Sequence, residues 1–311
     1  MGRPDISVVI PARNEGGRLA PTIRSIARAR TTDARLEFII ADDASTDDTT
    51  ASLLKAVPEL LNEKWIDIRV LRLEKQAGIY RARNQAAAEA SAEILFGTDA
   101  HVRFSRGWDE VVLRRIAPDR ILAGVTTQKK SGFKGYGCDL VVPFMGTQWR
   151  CDPASPSQVQ VAPCHATVIP RKLFQSLGGY DAGMRLYGAG EPEFSVRAWL
   201  HGAEVVICEE LQVEHHFKPK SELMKFWSQV RPFWIHNCLR FGVLYLSEAG
   251  CLQMMRYHAQ KFPEFFPAAM RQLAQSDVLQ RRQRLEQTQQ RSFDWFVTYF
   301  GLRNELGGEI L

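Results

Sequence analysis

The 311-residue sequence contains no run approaching the roughly 20 consecutive apolar residues that span a bilayer. Its opening, Met1-Gly2-Arg3-Pro4-Asp5, lacks the apolar stretch of a signal peptide, and residues 2–6 lack the Ser or Thr of a myristoylation signal. There is no internal repeat and no low-complexity tract. Cysteine is sparse: six residues, at 138, 151, 164, 208, 238 and 251, none in a Cys-x-x-Cys pair. That excludes the usual zinc and redox pairs. In a chain this long they read as free thiols of a cytosolic protein rather than a disulfide framework. Charge of one sign is lacking too, with 40 Lys and Arg against 35 Asp and Glu. Residues 1–217 balance at 27 of each, so the whole excess lies in 218–311. A surplus so small reads as a solvated helical face, with no nucleic-acid partner implied. What is present is an ordinary globular mix, 45% hydrophobic and 24% charged, which excludes disordered, collagen-like and coiled-coil chains. The length suffices for a substantial core.

Hydrophobic patterning alternates through the first hundred residues. Strands are expected at 6–10, 36–41, 66–70 and 94–96, and helices around Leu19–Ala27, around Leu53, Leu54 and Val57, and at 82–90. Such alternation predicts an α/β fold with a mostly parallel sheet flanked by helices. Residues 124–170 show no long period and read as loops and short strands. A helix at 193–201 and a strand at 204–207 follow, and the pattern from 218 onward is helical. In sheets of this kind ligands sit beyond the carboxyl ends of the strands. Three polar clusters lie there: Pro11-Ala12-Arg13-Asn14-Glu15, Asp42-Asp43 and Asp99-Ala100-His101.

Asp99 and His101 stand at alternate positions past a strand end, so a carboxylate and an imidazole could share a cation. Glu214-His215-His216-Phe217 is the obvious source of a third ligand. Oxygen and imidazole donors suit Mn²⁺, Fe²⁺ or Zn²⁺.

Together these segments resemble a known family. VVIPARNEGGRL, IIADDASTDDT and GIYRARNQAAAEASAEILFGTDAH are similar to the nucleotide-binding half of GT-A glycosyltransferases. The family 2 enzymes and the polypeptide N-acetylgalactosaminyltransferases come nearest, the latter sharing the Asp-x-His motif. Gly178-Gly179-Tyr180-Asp181, the 191–199 segment and His215-His216-Phe217-Lys218 continue the likeness in order. It implies a GT-A catalytic domain over 1–218, with a nucleotide-binding half at 1–101 and an acceptor and catalytic half at 102–218, followed by a helical extension over 219–311. It implies a UDP-sugar donor and Mn²⁺ or Mg²⁺ held by Asp99, His101 and His215, with His216 as runner-up. Pro11, Arg13, Asn14, Glu15, Asp42, Asp43, Gly78, Arg81, Asp99 and Gly179 become candidate nucleotide-sugar contacts. Asp43 is the candidate for uracil, and Arg81 with Arg83 forms the family's basic pair. Tyr180, Asp181 and Tyr187 become candidate acceptor or lid residues. The chain departs from the family at Gly190, where a Glu is expected, and at Glu191, which stands for Asp or Asn. A carboxylate at 191 could take the acceptor proton and give inversion; the alternative is a helix-end acid. Glu193 and Arg197, four apart, are expected to pair structurally. Phe144 and Trp149 are candidates for an acceptor wall. His165, His201, His236 and His258 belong to no motif and read as structural.

The acceptor could be a glycan, a peptide or a small molecule. The aromatic C-terminal helices leave room for peripheral membrane contact or a homodimer, which places the chain in the cytoplasm or at the inner face of a membrane. Two other readings stay open: a non-haem iron oxygenase using Asp99, His101 and His215, and a nucleotide-sugar binding protein without catalysis.

Overall fold

The computed structural model describes residues 3–61, 65–153, 157–307 and 310. The expectations at Met1 and Gly2 lie outside them. The first part is a run of strand–helix units: β1 (Ile6–Ala12), α1 (Leu19–Arg28), β2 (Leu36–Asp42), α2 (Thr49–Leu61), β3 (Ile66–Arg72), α3 (Ile79–Ala88) and β4 (Ile94–Gly97). β1 and β2 are buried at every residue, because helices cover both faces. This is why they read as continuous apolar runs. In α1, Leu19, Ile23, Ile26 and Ala27 turn inward at helical spacing, as the pattern predicts. In α2 only part of the expected apolar face is seen: Leu53 is buried, Leu54 is exposed, and the Val57 side chain lies outside the described residues.

The remainder is β5 (Val102–Phe104), α4 (Trp108–Arg115), β6 (Arg120–Gln128), β7 (Phe133–Gly135), β8 (Cys138–Val141), β9 (Gly146–Trp149), β10 (Thr167–Pro170), α5 (Arg171–Ser176), α6 (Gly190–Leu200) and β11 (Glu204–His215). Five helices follow: α7 (Lys220–Tyr245), α8 (Glu248–Lys261), α9 (Phe266–Ala274), α10 (Val278–Thr288) and α11 (Phe293–Phe300). α6 starts three residues earlier than its apolar period suggests. β11 runs eight residues past the expected end, with a register shift between Cys208 and Gln212.

The main sheet has the order β3-β2-β1-β4-β10-β6-β11-β5, with β7 on β6; β8 and β9 form a separate hairpin. β3, β2, β1 and β4 are parallel, as are β6 and β11. β10 is antiparallel to both neighbours, and β5 is antiparallel to β11. The sheet is thus mostly parallel with antiparallel insertions. The described residues form an open α/β sheet and not the β-barrel on which non-haem iron oxygenases usually carry their metal, which counts against that alternative.

One core lies between the sheet and α1, α2 and α4, with Ile6, Ile23, Phe38 and Trp108. The other joins the opposite face to α3 and α6 and continues through Leu239 and Phe241 of α7, Leu273 of α9 and Phe296 of α11. The C-terminal helices therefore share an apolar core with the sheet. No helix among the described residues is long and apolar enough to cross a membrane.

Candidate functional site

β1 lies between β2 and β4, so the chain crosses from one side of β1 to the other between β3 and β4. Loops leaving β1 and β4 then diverge and leave a crevice at their carboxyl ends. Asp99 and His101 lie on the β4 loop. Thr98 anchors it, donating from its backbone N–H to Val9 O (3.0 Å) and from its hydroxyl to His165 O (2.8 Å). β5 begins immediately after His101 and pairs with the end of β11, register His215↔Val102. The His216 N–H donates to His101 O at 3.1 Å. Side chains alternate along a strand, so His215 turns inward and His216 outward to solvent. Ligand atoms of Asp99, His101 and His215 all lie within 4.8 Å of one another. His216 is not among them.

The charges around this cluster are arranged. Arg83, itself buried, places Nη2 2.6 Å from Asp99 Oδ1. Burial works to raise the Asp99 carboxyl, but the His215 hydrogen bond and the Arg83 and His101 charges outweigh it and hold the group far below the usual carboxylate range. His215 Nε2 lies 3.4 Å from Asp99 Oδ2. His101 Nδ1 lies 3.1 Å from Glu15 Oε2, and Lys218 Nζ is 2.8 Å from Glu15 Oε1. Burial raises the Glu15 carboxyl too, and these two partners reverse the effect, leaving it below its ordinary value. His215 Nδ1 is buried with no hydrogen-bond partner among the described residues.

The expected nucleotide contacts surround the crevice, and several are engaged in building it. Pro11 is buried in β1 opposite Ala41. The Arg13 guanidinium donates to the carbonyls of Asp43 and Ala44 (2.7 Å for the latter), which pins the loop after β2. Asn14 adopts a left-handed backbone (φ 53°) and accepts from Thr46 N at 2.8 Å through Oδ1. Asp42 is fully buried; it accepts from Ser45 N (2.8 Å), the Thr50 hydroxyl and Arg72 Nη1 (3.1 Å), so its carboxylate is committed to the fold rather than to a ligand. Asp43 accepts from the backbone N–H groups of Ala77 (2.5 Å) and Gly78 (3.0 Å). Gly78 has φ +92°, and a Cβ there would sit 2.5 Å from Leu186 Cα. Only glycine lets the 186 backbone lie on the start of α3, where Ile79 N donates to Leu186 O at 2.9 Å. Arg81 donates Nε and Nη2 to Ala182 O (2.9 and 2.7 Å).

The second half supplies the opposite wall. Glu191 stands in the first turn of α6. Burial pushes its carboxyl up; the Cys164 thiol hydrogen bond and Arg83 work against that, and the Asp99 charge adds to it. Tyr180 is buried against Phe194 (ring centroids 4.6 Å) and Tyr80 (5.5 Å). Tyr187, half-buried, meets Phe226 and Trp227 of α7 edge-on at 5.0 and 5.7 Å. Gly179 gives its carbonyl to Arg197 Nη2 at 2.8 Å, and Arg197 pairs with Glu193 (Nε–Oε1 2.8 Å) as the spacing predicts.

Asp181 differs from expectation. Its carboxylate faces Arg240 of α7 (2.7 and 3.1 Å) and Arg281 of α10 (3.3 Å), so it anchors the C-terminal helices instead of an acceptor. Phe144 differs in the same way, packing on Trp234 (5.1 Å) and His258 (5.8 Å) beneath those helices. Trp149 does lie beside the cluster: Phe133 contacts Trp149 (5.5 Å) and Phe217 (6.2 Å), and Phe217 contacts His215 (4.3 Å). His201, His236 and His258 make backbone hydrogen bonds, as structural histidines do. His165 is nearer the chemistry than its lack of motif implied. Its ring is 4.5 Å from that of His215, and Nε2 is 2.8 Å from the Thr126 hydroxyl. Burial and the neighbouring His215 push its pKa well below the ordinary histidine value. Only strand pairing across 120–170 brings His165 and Cys164 here, and no local pattern announces it. All six cysteines are free thiols.

A family model described as "Glycosyl transferase family 2" matches residues 7–178. A probable N-acetylgalactosaminyltransferase 6 from Caenorhabditis elegans is 27% identical over 319 residues, covering 94% of this chain and 49% of the relative. The chain spans about half the length of the curated relatives it matches. Among solved structures, GalNAc-T7 with UDP, GalNAc and Mn²⁺ superposes with a TM-score of 0.71 at 19% identity, covering 96% of this chain and 57% of that one. The mannosyltransferase PcManGT from Pyrobaculum calidifontis, in complex with GDP-Man and Mn²⁺, gives 0.59 at 17% identity, covering 88% and 75%. These likenesses establish the GT-A fold.

Proposed function

The chain belongs to glycosyl transferase family 2, and from that premise we propose that it is a divalent-metal-dependent glycosyltransferase moving a sugar from a UDP-sugar to an acceptor hydroxyl with inversion. The observation that carries this reading is the Asp99, His101 and His215 cluster, electrostatically coupled to the half-buried carboxylate of Glu191 at the start of α6. One ionised carboxylate and two imidazoles form a donor set suited to Mn²⁺. Asp99 Oδ1 is taken by Arg83 and Oδ2 turns toward His215, so Asp99, His101 and His215 would hold the ion. Bound there, the ion would supply stabilisation of the negative charge growing on the departing diphosphate.

This chain's own residues do the rest. Glu191 takes the proton of the acceptor hydroxyl as its oxygen bonds the anomeric carbon and the bond from that carbon to the diphosphate breaks. UDP leaves, and the anomeric configuration inverts. A carboxyl raised by burial is a stronger base than an exposed one. Arg83 orients Asp99 and adds positive charge to the same crevice. The aromatic wall of Phe133, Trp149 and Phe217 excludes water on one side and offers flat faces to a sugar or peptide acceptor.

The test is hydrolysis of a panel of UDP-sugars with and without Mn²⁺, comparing wild type with His101→Ala. Manganese-dependent UDP release that the variant loses supports the reading. UDP binding with no turnover toward any donor or acceptor would favour the binding-protein alternative, which Gly190 in place of the family's Glu keeps in view. NMR of early product reads the anomeric configuration, and a retained configuration would remove Glu191 from its role as base.

A further inference from the structure

Glu15 was expected among the nucleotide contacts, but its carboxylate points elsewhere. One oxygen lies 3.1 Å from His101 Nδ1, and the other accepts from Lys218 Nζ at 2.8 Å. The residue is buried, and its backbone is fixed independently: Glu15 N donates to the Thr49 hydroxyl at 2.7 Å, and Gly16 N to Asp47 Oδ2 at 2.9 Å. The backbone is thus held by Thr49 at the start of α2 and by Asp47 just before it, while the carboxylate is clamped between two other loops. Lys218 lies three residues beyond His215, and Arg18 continues the same bridge to Glu222 at 3.2 Å.

We infer that Glu15 is the positioning residue of the Asp99–His101–His215 centre, fixing His101 with its proton on Nδ1 and its Nε2 lone pair toward the cation, and that Lys218 holds Glu15 in that duty. This rests on the metal-dependent reading above. A carboxylate cannot donate, so a hydrogen bond at His101 Nδ1 requires the proton on that nitrogen. Ligand histidines are commonly oriented this way, and loss of such a partner typically costs 10–100-fold in metal affinity. The lysine gives the arrangement a second consequence. Glu15 lies on the β1 loop, His101 on the β4 loop and Lys218 past the end of β11, so one side chain ties the first metal loop to the segment carrying the third ligand.

The experiment measures Mn²⁺ affinity of the full chain by the EPR signal of free Mn²⁺, for wild type, Glu15→Ala, Glu15→Gln and Lys218→Met, with thermal melts alongside. Glu15→Ala should bind Mn²⁺ 10–100-fold more weakly while melting cooperatively. Glu15→Gln, whose amide oxygen still accepts, should recover most of the affinity, and Lys218→Met should fall between wild type and Glu15→Ala. The ¹⁵N shifts of the His101 ring, read before metal is added, should show the Nδ1–H tautomer in wild type and a mixture in Glu15→Ala. Unchanged Mn²⁺ affinity in Glu15→Ala with a raised KM for the UDP-sugar would overturn the inference and return Glu15 to the nucleotide. Should Glu15→Ala fail to fold, unchanged affinity in Lys218→Met together with an Nε2–H tautomer in wild type would overturn it equally. If wild type itself bound no Mn²⁺, the metal-dependent reading would fall and this inference with it; wild-type binding unaffected by the variants would sink the inference alone.

Discussion

Replacing Asp181 should weaken the attachment of the C-terminal helices to the α/β core, not merely weaken an acceptor. Asp181 and Arg240 are 2% and 0% exposed at their side chains and share two hydrogen bonds, 2.7 and 3.1 Å. Asp181→Asn keeps the shape and removes the charge, leaving a buried guanidinium short of its counter-ion. Breaking a buried pair from one side costs about 3–5 kcal/mol. The lower end applies here, because Arg240 Nη2 keeps Asp277 at 2.8 Å and that partner is 55% exposed. With an unfolding entropy of about 2.1 cal/mol/K per residue, a loss of about 3 kcal/mol lowers Tm by roughly 5 °C. Thermal melts followed by circular dichroism and tryptophan fluorescence would measure it. The double variant Asp181→Leu with Arg240→Met should lose much less than the sum of the single losses, since an apolar pair leaves no buried charge. A Tm of Asp181→Asn within a degree of wild type, with only the acceptor KM raised, would refute the anchoring role and restore the acceptor one. Additive losses in the cycle would show that the two residues do not act as a pair.

Three further outcomes follow from the same geometry. Glu191→Gln should lower kcat by about 10²–10⁴-fold, the usual contribution of a general base. Because the base must be unprotonated and burial raises its carboxyl, the wild-type rate should climb with pH through a value above the ordinary Glu range, and that limb should vanish in the variant. His236 and His258 are fully buried with pKa values lowered from 6.5 to about 4. The unfolded chain therefore binds protons first, and stability should fall as pH drops from 6.5 toward 4, by up to about 3 kcal/mol per histidine. Urea titrations of His236→Gln, whose amide can still donate to Gly183 O, should show a shallower slope. Gly78→Ala forces a Cβ to within 2.5 Å of Leu186 Cα at φ +92°; strain of about 1–3 kcal/mol should appear as a lower Tm and as faster proteolysis near residue 186.

Much of the fold was legible because its signals are local. β1 and β2 are buried on both faces and so read as unbroken apolar runs, and Leu19, Ile23 and Ile26 keep a helical period. The Asp99, His101 and His215 cluster was legible through spacing and resemblance, and strand alternation then separates His215 from His216. What stayed hidden depends on strand order. Glu15 meets His101 because β1 and β4 are neighbours, in register Val9↔Gly97, though 86 residues part the two side chains. The anchoring of Asp181 stayed hidden for a related reason: its partners Arg240 and Arg281 sit on helices whose packing no motif announces. His165 and Cys164 come to the site through β10, inserted antiparallel between β4 and β6 in a segment whose sequence looked irregular. Local pattern encodes which residues are buried; it does not encode which distant loop they are buried against.

The departure at Gly190 gains a physical reason from the same neighbourhood. A Cβ on Gly190 would lie 2.5 Å from the Tyr80 ring. The tyrosine thus occupies the space a longer residue at 190 would need. The absence of an acid at 190 and the presence of Tyr80 are therefore one structural choice. Its consequence falls on Glu191. In the first turn of α6 the other acid, Glu193, is fully buried and consumed by Arg197. That leaves Glu191 as the carboxylate of this turn not locked in an ion pair, backed by Cys164 and raised by burial. On the proposed inverting reading, the substitution that first argued against catalysis thus leaves this end of α6 with one carboxylate outside an ion pair to serve as the base.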